Sequence, residues 1–511
     1  MRRNIVVITI LCILILSTCL LLSCTKNKVS WSFNDETGTL TVFGTGAMSD
    51  IKGYPQNRNR PFEKAPWYEF KDSIKTVIIE KGVTTVGLRA FEECTNLSHI
   101  SLPAGITEIG DDAFKDCINL PEITLPQGLK LIDSAFYNCE SLKEIVIPNS
   151  VENIYIGAFY GCVSLQKITL SSNMTRIDAS LFGECTSLKS IEIPVGITQI
   201  GRAAFAECSS LEEIIIPHTV KKIENNAFLG CDSLKLNELD GVFYLSSSNT
   251  PYHIAVKADK DITSAVLHDD TKILYSHAFE ECTSLTSVQL NQNIKLIDCG
   301  VFKDCSSLES ITLHDGITKI SENAFEGSGI KSIHIPDSVT EIKSSAFMNC
   351  AALENVKIGS GVTQIWSSAF ENCVSLNNIE IPDNVTKIWG RCFSGCTSLQ
   401  KIKTHGNLEL SQEVFENCVS LKRIELPKNI AHIDARLFKG CVSLESVTAS
   451  SFLKEIRSEA FEGCISLDEI TYNGSKNEFN SIKTYPLGPQ NPIDITVHCN
   501  DGDIIIPKEK S

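Results

Sequence analysis

The residues of this 511-residue chain that could take part in the widest range of chemistry are its 21 cysteines. A thiol can form a disulfide, bind a metal or act as a nucleophile, depending on its neighbours and exposure. Fifteen of these thiols follow a phenylalanine by three positions: Cys94, Cys117, Cys139, Cys162, Cys185, Cys208, Cys231, Cys282, Cys305, Cys350, Cys373, Cys396, Cys418, Cys441 and Cys464. Side chains repeated in this way point in parallel, which disfavours disulfide geometry. We therefore predict a column of small, buried, free thiols.

The remaining thiols and histidines show no metal-binding or catalytic signature. The sequence has no Cys-x-x-Cys pair, no His-Glu-x-x-His run, no Gly-x-Ser-x-Gly elbow and no Walker loop. We therefore predict no metal, no cofactor and no enzymatic activity. Cys299 lies outside the series at a position that is usually polar, and we expect it to be the most exposed thiol.

Charged residues that alternate with buried strand positions are candidates for binding a partner. They are acidic early in the chain (Glu122, Glu144, Glu192 and Glu213, beside His99) and basic later (Lys357, Lys401, Lys403 and Arg423). The formal net charge of −16 argues against nucleic acid as a partner, because phosphates require a basic footprint. The basic residues are a candidate binding patch, and a merely solvated face remains the alternative.

Trp366 and Trp389 occupy the same position in two adjacent units, where other units carry small or charged residues. Stacked units place such indoles about 5 Å apart, as parallel strands are spaced. Neighbouring exposed aromatics are enriched at binding hot spots, and aromatic rows also suit sugar rings. The alternative is that the two rings only pack on each other.

The N-terminus predicts export. Two arginines precede an apolar run over residues 5–22, which is typical of a secretory signal peptide spanning residues 1–23. The Ser23–Cys24 junction resembles the cleavage site of a bacterial lipoprotein, which implies lipid on Cys24 and a tether over residues 24–30. Thr25 stands where such proteins often carry an inner-membrane retention aspartate, so we expect the cell surface or outer membrane. An ordinary export signal or an uncleaved anchor is the alternative.

A repeated element must position all these residues. Sixteen phenylalanines recur at steps of 22 or 23 residues, apart from one step of 51: Phe91, Phe114, Phe136, Phe159, Phe182, Phe205, Phe228, Phe279, Phe302, Phe325, Phe347, Phe370, Phe393, Phe415, Phe438 and Phe461. Such a period marks a solenoid in which each unit buries its apolar face against its neighbours. Within a unit, alternating residues predict a short strand, a second short extended segment follows, and Ala-Phe-x-x-Cys-x-x-Leu predicts a helical turn or tight bend.

The repeated pattern Leu-x-x-Ile-x-Ile-Pro-x-x-Val-x-x-Ile-x-x-x-Ala-Phe-x-x-Cys-x-x-Leu resembles the BspA-like leucine-rich repeats of bacterial surface proteins. The resemblance implies an α/β-type repeat solenoid, a curved coil of 22–23-residue units with short stacked parallel β-strands. We assign repeats to residues 74–234 and 269–472, an N-terminal cap to 31–73, and a C-terminal cap and tail to 473–511. Residues 235–268 are predicted to be a hairpin-like insertion, and one degenerate repeat is the alternative.

The resemblance also implies a function. It predicts a lipid-anchored, adhesin-like surface protein that binds host matrix proteins, host cells or other microbes. A glycan-binding module that uses Trp366 and Trp389 is one alternative. A surface enzyme with the insertion as a lid, its residues drawn from distant repeats, is another.

Overall fold

The computed structural model describes residues 29–50, 64–404, 406–485 and 494–507. The predicted signal peptide, the Ser23–Cys24 junction and residues 24–28 of the predicted tether lie outside this part of the chain. The described residues form two compact units, Met1–Lys235 (unit 1) and Leu236–Ser511 (unit 2). No helix within the described residues is long and apolar enough to cross a bilayer.

Unit 1 begins with a capping segment and continues as a parallel-strand solenoid. The capping strands are β1 (Val29–Asn34), β2 (Thr39–Gly44) and β3 (Gly46–Ala47), with short 3-10 turns at Met48–Asp50 and Tyr68–Phe70. The first strand of each repeat forms the first ladder: β4 (Thr76–Ile79), β6 (His99–Ser101), β9 (Glu144–Val146), β11 (Lys167–Thr169), β13 (Ser190–Glu192) and β15 (Glu213–Ile215). The second ladder comprises β5 (Val83–Val86), β7 (Glu108–Ile109), β8 (Leu131–Ile132), β10 (Asn153–Ile154), β12 (Arg176–Ile177), β14 (Gln199–Ile200) and β16 (Lys222–Ile223).

Unit 2 opens with the antiparallel strands β17 (Asn237–Leu239), β18 (Val242–Leu245) and β19 (Ile254–Ala258), which lie in the segment assigned to the insertion. Its first ladder comprises β20 (Ser264–Val266), β22 (Ser287–Gln289), β25 (Ser332–His334), β27 (Asn355–Lys357), β29 (Asn378–Glu380), β31 (Lys401–Lys403), β33 (Arg423–Glu425), β35 (Ser446–Ser450), β37 (Glu469–Asn473), β39 (Ile495–Cys499) and β40 (Gly502–Ile506).

The second ladder of unit 2 comprises β21 (Ile273–Leu274), β23 (Leu296–Ile297), β24 (Lys319–Ile320), β26 (Glu341–Ile342), β28 (Gln364–Ile365), β30 (Lys387–Ile388), β32 (Glu409–Leu410), β34 (His432–Ile433), β36 (Glu455–Ile456) and β38 (Lys483–Thr484). The single α-helix among the described residues is α1 (Lys476–Asn480), which Ser475 caps. The repeat solenoid is therefore confirmed, although its α/β label fits only loosely.

The repeat period sets the register of both ladders. Lys167 pairs with Glu144, one repeat earlier, and Lys401 pairs with Asn378 in the same way. Most three-residue strands of the first ladder bury the central residue and expose the two flanking ones, which is the period-2 alternation of a half-buried strand. The polar flanking residues are thereby lined up in two columns on the outer face.

Of the two alternatives predicted around each phenylalanine, a helical turn or a tight bend, the structure shows the tight bend. Its backbone also bonds between repeats, since the Phe91 N–H donates to the Ala113 carbonyl at 2.8 Å. The residues two positions before and two positions after the phenylalanine adopt left-handed backbone angles in most repeats, as at Arg391 (φ 61°) and Asn372 (φ 57°). A continuous helix cannot contain such residues, so the chain turns instead.

The phenylalanine side chains stack inside each unit. Phe136 and Phe159 have ring centroids 5.4 Å apart, and Phe347 and Phe370 have centroids 5.2 Å apart at an interplanar angle of 3°. All four rings are fully buried. The burial of each ring contributes roughly 1.5–3 kcal/mol to the stability of the fold. In unit 1 the stack ends on Trp67 of the capping segment, 5.7 Å from Phe91.

Candidate functional site

The outer face of the first ladder in unit 2 brings the predicted basic residues together. We call this surface the unit 2 face, formed by the outward side chains of β25, β27, β29, β31 and β33: Ser332, His334, Asn355, Lys357, Asn378, Glu380, Lys401, Lys403, Arg423 and Glu425. Asn355, Asn378 and Lys401 form one column along the ladder, as their register requires. The sequence-predicted patch is therefore a continuous surface.

Two grooves run along the unit 2 face. The first, of about 810 Å³, is lined by Lys357, Lys401 and Lys403 together with polar side chains and the central residues Ile333, Val356 and Ile379. The second, of about 840 Å³, is lined by Arg423 and Lys422 and shares Lys401 and Lys403 with the first. Because the lysines are shared, the two grooves are adjacent along one face.

The four predicted basic residues differ in their ion pairing. Lys403 contacts Glu380 at 2.5 Å, and this hydrogen bond raises the pKa of Lys403. Arg423 lies 3.7 Å from Glu445. Lys357 and Lys401, by contrast, have no carboxylate within 4.0 Å in the described part of the chain. These two ammonium groups can therefore pair with a ligand without first releasing an intramolecular partner.

Trp366 and Trp389 form the predicted stack on a different part of unit 2. They follow β28 and β30 of the second ladder, and their rings lie 5.1 Å apart at an interplanar angle of 6°. Lys343 Nζ lies 4.1 Å from the Trp366 ring and Lys387 Nζ lies 4.2 Å from the Trp389 ring. Both indoles are half-buried, and the structure does not bring them into the grooves of the unit 2 face.

The unit 1 face has the opposite character. It is formed by the outward residues of the first ladder of unit 1, including Glu122, Glu144, Glu192 and Glu213, which are all exposed. Exposed β-branched side chains share this face, with Val146 63% and Ile215 42% accessible. A smaller groove of about 630 Å³ is lined by Glu122 and Glu144. The predicted change from acidic to basic outward residues along the chain is therefore present in the structure.

One extended charge network was missed by sequence reasoning. Side chains two positions before and one position after the stacked phenylalanines form a charged row in unit 2: Glu371, Arg391, Glu413, Glu416, Arg436, Lys439, Glu459 and Glu462. Arg391 contacts Glu371 at 2.6 Å and Glu416 at 2.9 Å. The alternation of charge at these positions from one repeat to the next was the available signal.

Unit 1 carries an aromatic pair at the corresponding positions, which was also missed. Tyr137 and Tyr160 stack at 4.9 Å, and the Tyr160 hydroxyl bonds to Glu184, which raises the pKa of Tyr160 to about 12. Gly183 lies so close to the Tyr160 ring that an added Cβ would come within 2.7 Å of the ring. A side chain at position 183 would therefore displace the tyrosine.

The cysteine column is a packing feature. None of the 18 described cysteines forms a disulfide, and those of the column are buried. The Cys162 thiol donates to the carbonyl oxygen of Phe136, one turn earlier, at 3.2 Å, and the same bond recurs in 13 thiols from Cys117 to Cys464. Burial raises the pKa of Cys162 to about 12, so this thiol stays protonated and unreactive at neutral pH.

The expectation for Cys299 was wrong. This thiol is only 9% exposed, because the turn after β23 folds inward and also buries Asp298, whose side chain accepts a hydrogen bond from the Cys299 N–H. Cys499 is instead the one described cysteine that is not buried. The described residues contain no group of three or more histidine, cysteine or acidic side chains placed to hold a metal ion.

The fold and its stacked short strands define a leucine-rich repeat protein. The family profile for the BspA type leucine rich repeat region matches residues 64–134, 129–235, 257–377 and 364–486. The chain therefore belongs to the BspA-type leucine-rich repeat family.

Solved structures of other leucine-rich repeat proteins resemble the chain. A leucine-rich repeat protein from Bacteroides ovatus is 25% identical, with 93% of this chain and 99% of that chain covered and a TM-score of 0.40. A leucine rich cell surface protein from Faecalibacterium prausnitzii is 23% identical, with coverages of 90% and 97% and a TM-score of 0.30. The pneumococcal vaccine antigen PcpA is 16% identical, with coverages of 91% and 96% and a TM-score of 0.28. No curated protein matches the chain.

Proposed function

We propose that this protein is an exported, lipid-anchored, adhesin-like surface protein whose unit 2 face binds a protein of the host or of another microbe. The observation that carries the proposal is a pair of lysines, Lys357 and Lys401, that line one groove and have no carboxylate within 4.0 Å among the described residues. In a chain with a net charge of −16, these two lysines lie on one face with Lys403 and Arg423, which makes a local concentration of positive charge.

The second ladder of unit 2 is a less favourable binding surface than the unit 2 face. Its outward charges are largely paired with one another, as at Lys343 with Glu341 (2.9 Å) and Lys387 with Glu409 (2.9 Å). Paired charges on a solvated surface contribute little to binding unless the partner displaces an existing contact. The unit 2 face offers both unpaired charge and a groove, which the second ladder does not combine at these positions.

Blocking the groove tests the proposal. Asn378 is exposed at the centre of the unit 2 face, so Asn378→Trp should fill the groove without disturbing the buried core. We expect saturable binding of the soluble chain to purified host matrix or microbial surface proteins, and loss of that binding in Asn378→Trp. Thr169→Trp, on the unit 1 face, is the matched control. Equal binding by both variants would contradict the proposal.

The anchor is a separate part of the proposal. It rests on the Ser23–Cys24 junction in the sequence, and acylation of Cys24 would supply the membrane attachment, since each buried methylene contributes about 0.8 kcal/mol. Cells grown with a palmitate analogue should label the native protein and not the Cys24→Ser variant. Labelling of both would exclude Cys24 as the acceptor.

Glycan binding by the tryptophan pair remains a prediction. The rings share one face with each other and have lysine ammonium groups nearby, so a sugar would have to use their outer edges or displace those lysines. Binding to a glycan that is lost in Trp366→Ala/Trp389→Ala and kept in Asn378→Trp would favour this alternative over the unit 2 face.

A further inference from the structure

We propose that the groove at Lys357 and Lys401 takes an acidic, extended polypeptide segment. Its carboxylates pair with the two lysines, and one aliphatic side chain sits over Val356. This inference rests on the proposed function, because it names the chemistry of the partner for the same face.

The first observation is a break in the first ladder at this position. Strands β25 and β27 pair over three residues, as do β29 and β31, whereas β27 and β29 pair only through Asn355 and Asn378. The unit that contains β27 also carries Gly359 where its neighbours carry proline. Gly359 packs so closely on the preceding unit that an added Cβ would lie 2.4 Å from the Pro336 carbonyl oxygen. The backbone is therefore locally irregular beneath the groove.

The second observation is an apolar opening at the same break. The central residue of β27 is Val356, which is partly exposed, whereas the corresponding Ile333 and Ile379 are only 5% and 4% exposed. Valine is one methylene shorter than isoleucine, and the strand pairing beside it is reduced to a single residue pair. A partner that placed an aliphatic group there would gain burial of about 0.8 kcal/mol for each methylene covered.

The third observation is the arrangement of charge around this opening. Lys357 follows Val356 on β27, and Lys401 lies two strands further along, which places the two strands roughly 10 Å apart. Residues i and i+4 of an extended peptide point to the same face about 13 Å apart, which matches the diagonal between the two lysines. Two carboxylates in such a segment can therefore meet both lysines while an aliphatic residue between them faces Val356.

The lining of the groove favours a polypeptide over a polysaccharide. Its residues include no tryptophan, tyrosine or phenylalanine on which a sugar ring could stack. The apolar floor formed by Ile333, Val356 and Ile379 instead suits an aliphatic side chain, which a sulfated or carboxylated glycan lacks. Asn355 offers an amide donor and acceptor for the backbone of a bound segment. An anionic glycan is therefore an outcome of the test and not the proposal.

The experiment uses the full chain and a short labelled peptide of glutamates around one central leucine, measured by fluorescence anisotropy. Two further peptides replace either the glutamates by glutamine or the leucine by glycine. We expect saturable binding of the first peptide that weakens with added salt, because exposed charges are screened. The glutamine peptide should bind much more weakly, and equal binding of these two peptides would overturn the proposal.

Two variants separate the charge from the apolar opening. Lys357→Gln/Lys401→Gln should weaken binding of both glutamate peptides about fivefold, as expected for two exposed ion pairs. Val356→Ile restores the residue type of the neighbouring strands, so it should fold, and it should weaken the leucine peptide about threefold without affecting the glycine peptide. Lys167→Gln on the unit 1 face is the control and should change nothing. An unchanged affinity of Val356→Ile for the leucine peptide would remove the apolar part of the proposal.

Heparin serves as the competing probe. If heparin binds through Lys357 and Lys401 while the glutamate peptide does not, the ligand is an anionic glycan and this inference fails. If the peptide does not bind but Asn378→Trp still abolishes binding of surface proteins, the inference fails and the proposed function stands. If neither peptide nor surface protein depends on the unit 2 face, both fail.

Discussion

Unit 1 and unit 2 have the same interior and different surfaces. Both stack phenylalanine rings between about 5 and 6 Å apart and both line that stack with hydrogen-bonded thiols. Their first-ladder faces differ in the exposed side chains. The unit 1 face exposes Glu144 and Val146, for example, whereas the unit 2 face exposes Asn378 and Lys401. The core residues therefore fix the repeat, and the outward positions are free to change from one region to the next.

The same contrast holds beside the phenylalanine turns. Unit 2 links successive repeats there through the charged row, in which Glu371, Glu413 and Glu416 are mostly buried around Arg391. Unit 1 has Tyr137, Tyr160, Gly183 and Ala206 at the corresponding positions. Both units thus support part of the stack by charge, since Arg89, Glu92, Asp112 and Lys115 form a short charged row in the first repeats of unit 1. The later repeats of unit 1 use aromatic contact and close packing instead.

The largest expected effect concerns the column of buried thiols, which both units share. Burial raises the pKa of six column thiols above the value of about 8.5 in the unfolded chain, to about 12 for Cys162. The six are Cys139, Cys162, Cys185, Cys373, Cys396 and Cys418. The protonated thiols therefore stabilise the fold fully below the unfolded pKa, and this stability is lost as pH rises through the folded pKa. The loss is about 1.4 kcal/mol per thiol for each pH unit in that window. We expect steep alkaline unfolding above about pH 9.

Matched triple variants make this measurable. Cys139→Ala/Cys162→Ala/Cys185→Ala in unit 1 and Cys373→Ala/Cys396→Ala/Cys418→Ala in unit 2 should each reduce the pH slope of the urea midpoint by the contribution of three thiols. Because other groups titrate equally in parent and variant, the difference isolates the cysteines. A parent and variant with equal slopes would show that the thiols ionise as readily in the folded chain.

The next effect compares the two stacks directly. Phe159 and Phe370 are fully buried, and each stacks on two neighbouring phenylalanines. Replacement of either by alanine should cost about 3–5 kcal/mol, since it removes a buried ring and leaves a cavity. Hydrogen exchange, read separately for each unit, should show equal losses. A difference above about 1 kcal/mol would mean that the two interiors are not equivalent.

The tryptophan pair distinguishes unit 2 from unit 1, which has Asp178 and Gly201 at corresponding positions. If the two rings contributed only to ligand binding, alanine at both positions would leave the melting curve nearly unchanged. Because the rings stack on each other and near Lys343 and Lys387, we now expect a loss of about 2–3 kcal/mol. Thermal denaturation of Trp366→Ala/Trp389→Ala decides between these expectations.

The smallest effect concerns the charged row. Arg391→Met keeps the aliphatic stem and leaves three largely buried carboxylates without their shared partner. We expect a loss of about 1–2 kcal/mol, discounted because the guanidinium is 45% exposed, and a smaller loss at high salt. Arg202→Met in unit 1, where the side chain is exposed, should stay within about 0.5 kcal/mol. If the loss of stability in Arg391→Met does not depend on salt, it comes from lost packing and not from lost charge pairing.

The fold was largely predictable because one spacing determines it. The phenylalanine period fixed the parallel ladders, and the equivalent positions of Trp366 and Trp389 correctly placed their rings about 5 Å apart. The buried thiols followed from the same logic. What the period does not determine is local departure from it: the burial of Cys299 and the exposure of Val356 depend on how one turn packs on the next.

The candidate site was predictable only in outline. The sequence identified Lys357, Lys401, Lys403 and Arg423 as outward-facing, but which of them have a carboxylate nearby depends on side-chain contacts between repeats. The groove likewise depends on the reduced pairing between β27 and β29, which no single unit reveals. The charged row could have been found, had positions before and after each phenylalanine been compared between repeats.

The direction of the terminal strands limits how these molecules can aggregate. At one end of unit 1, β1 runs antiparallel to β2, and at one end of unit 2, β40 runs antiparallel to β39. An incoming chain that tried to extend the parallel ladder would meet a strand of the wrong polarity, and at the N-terminal end also the Trp67 indole in place of a phenylalanine. Growth into a fibre by simple end-to-end templating is thereby discouraged, even though each internal turn is an ideal template for the next.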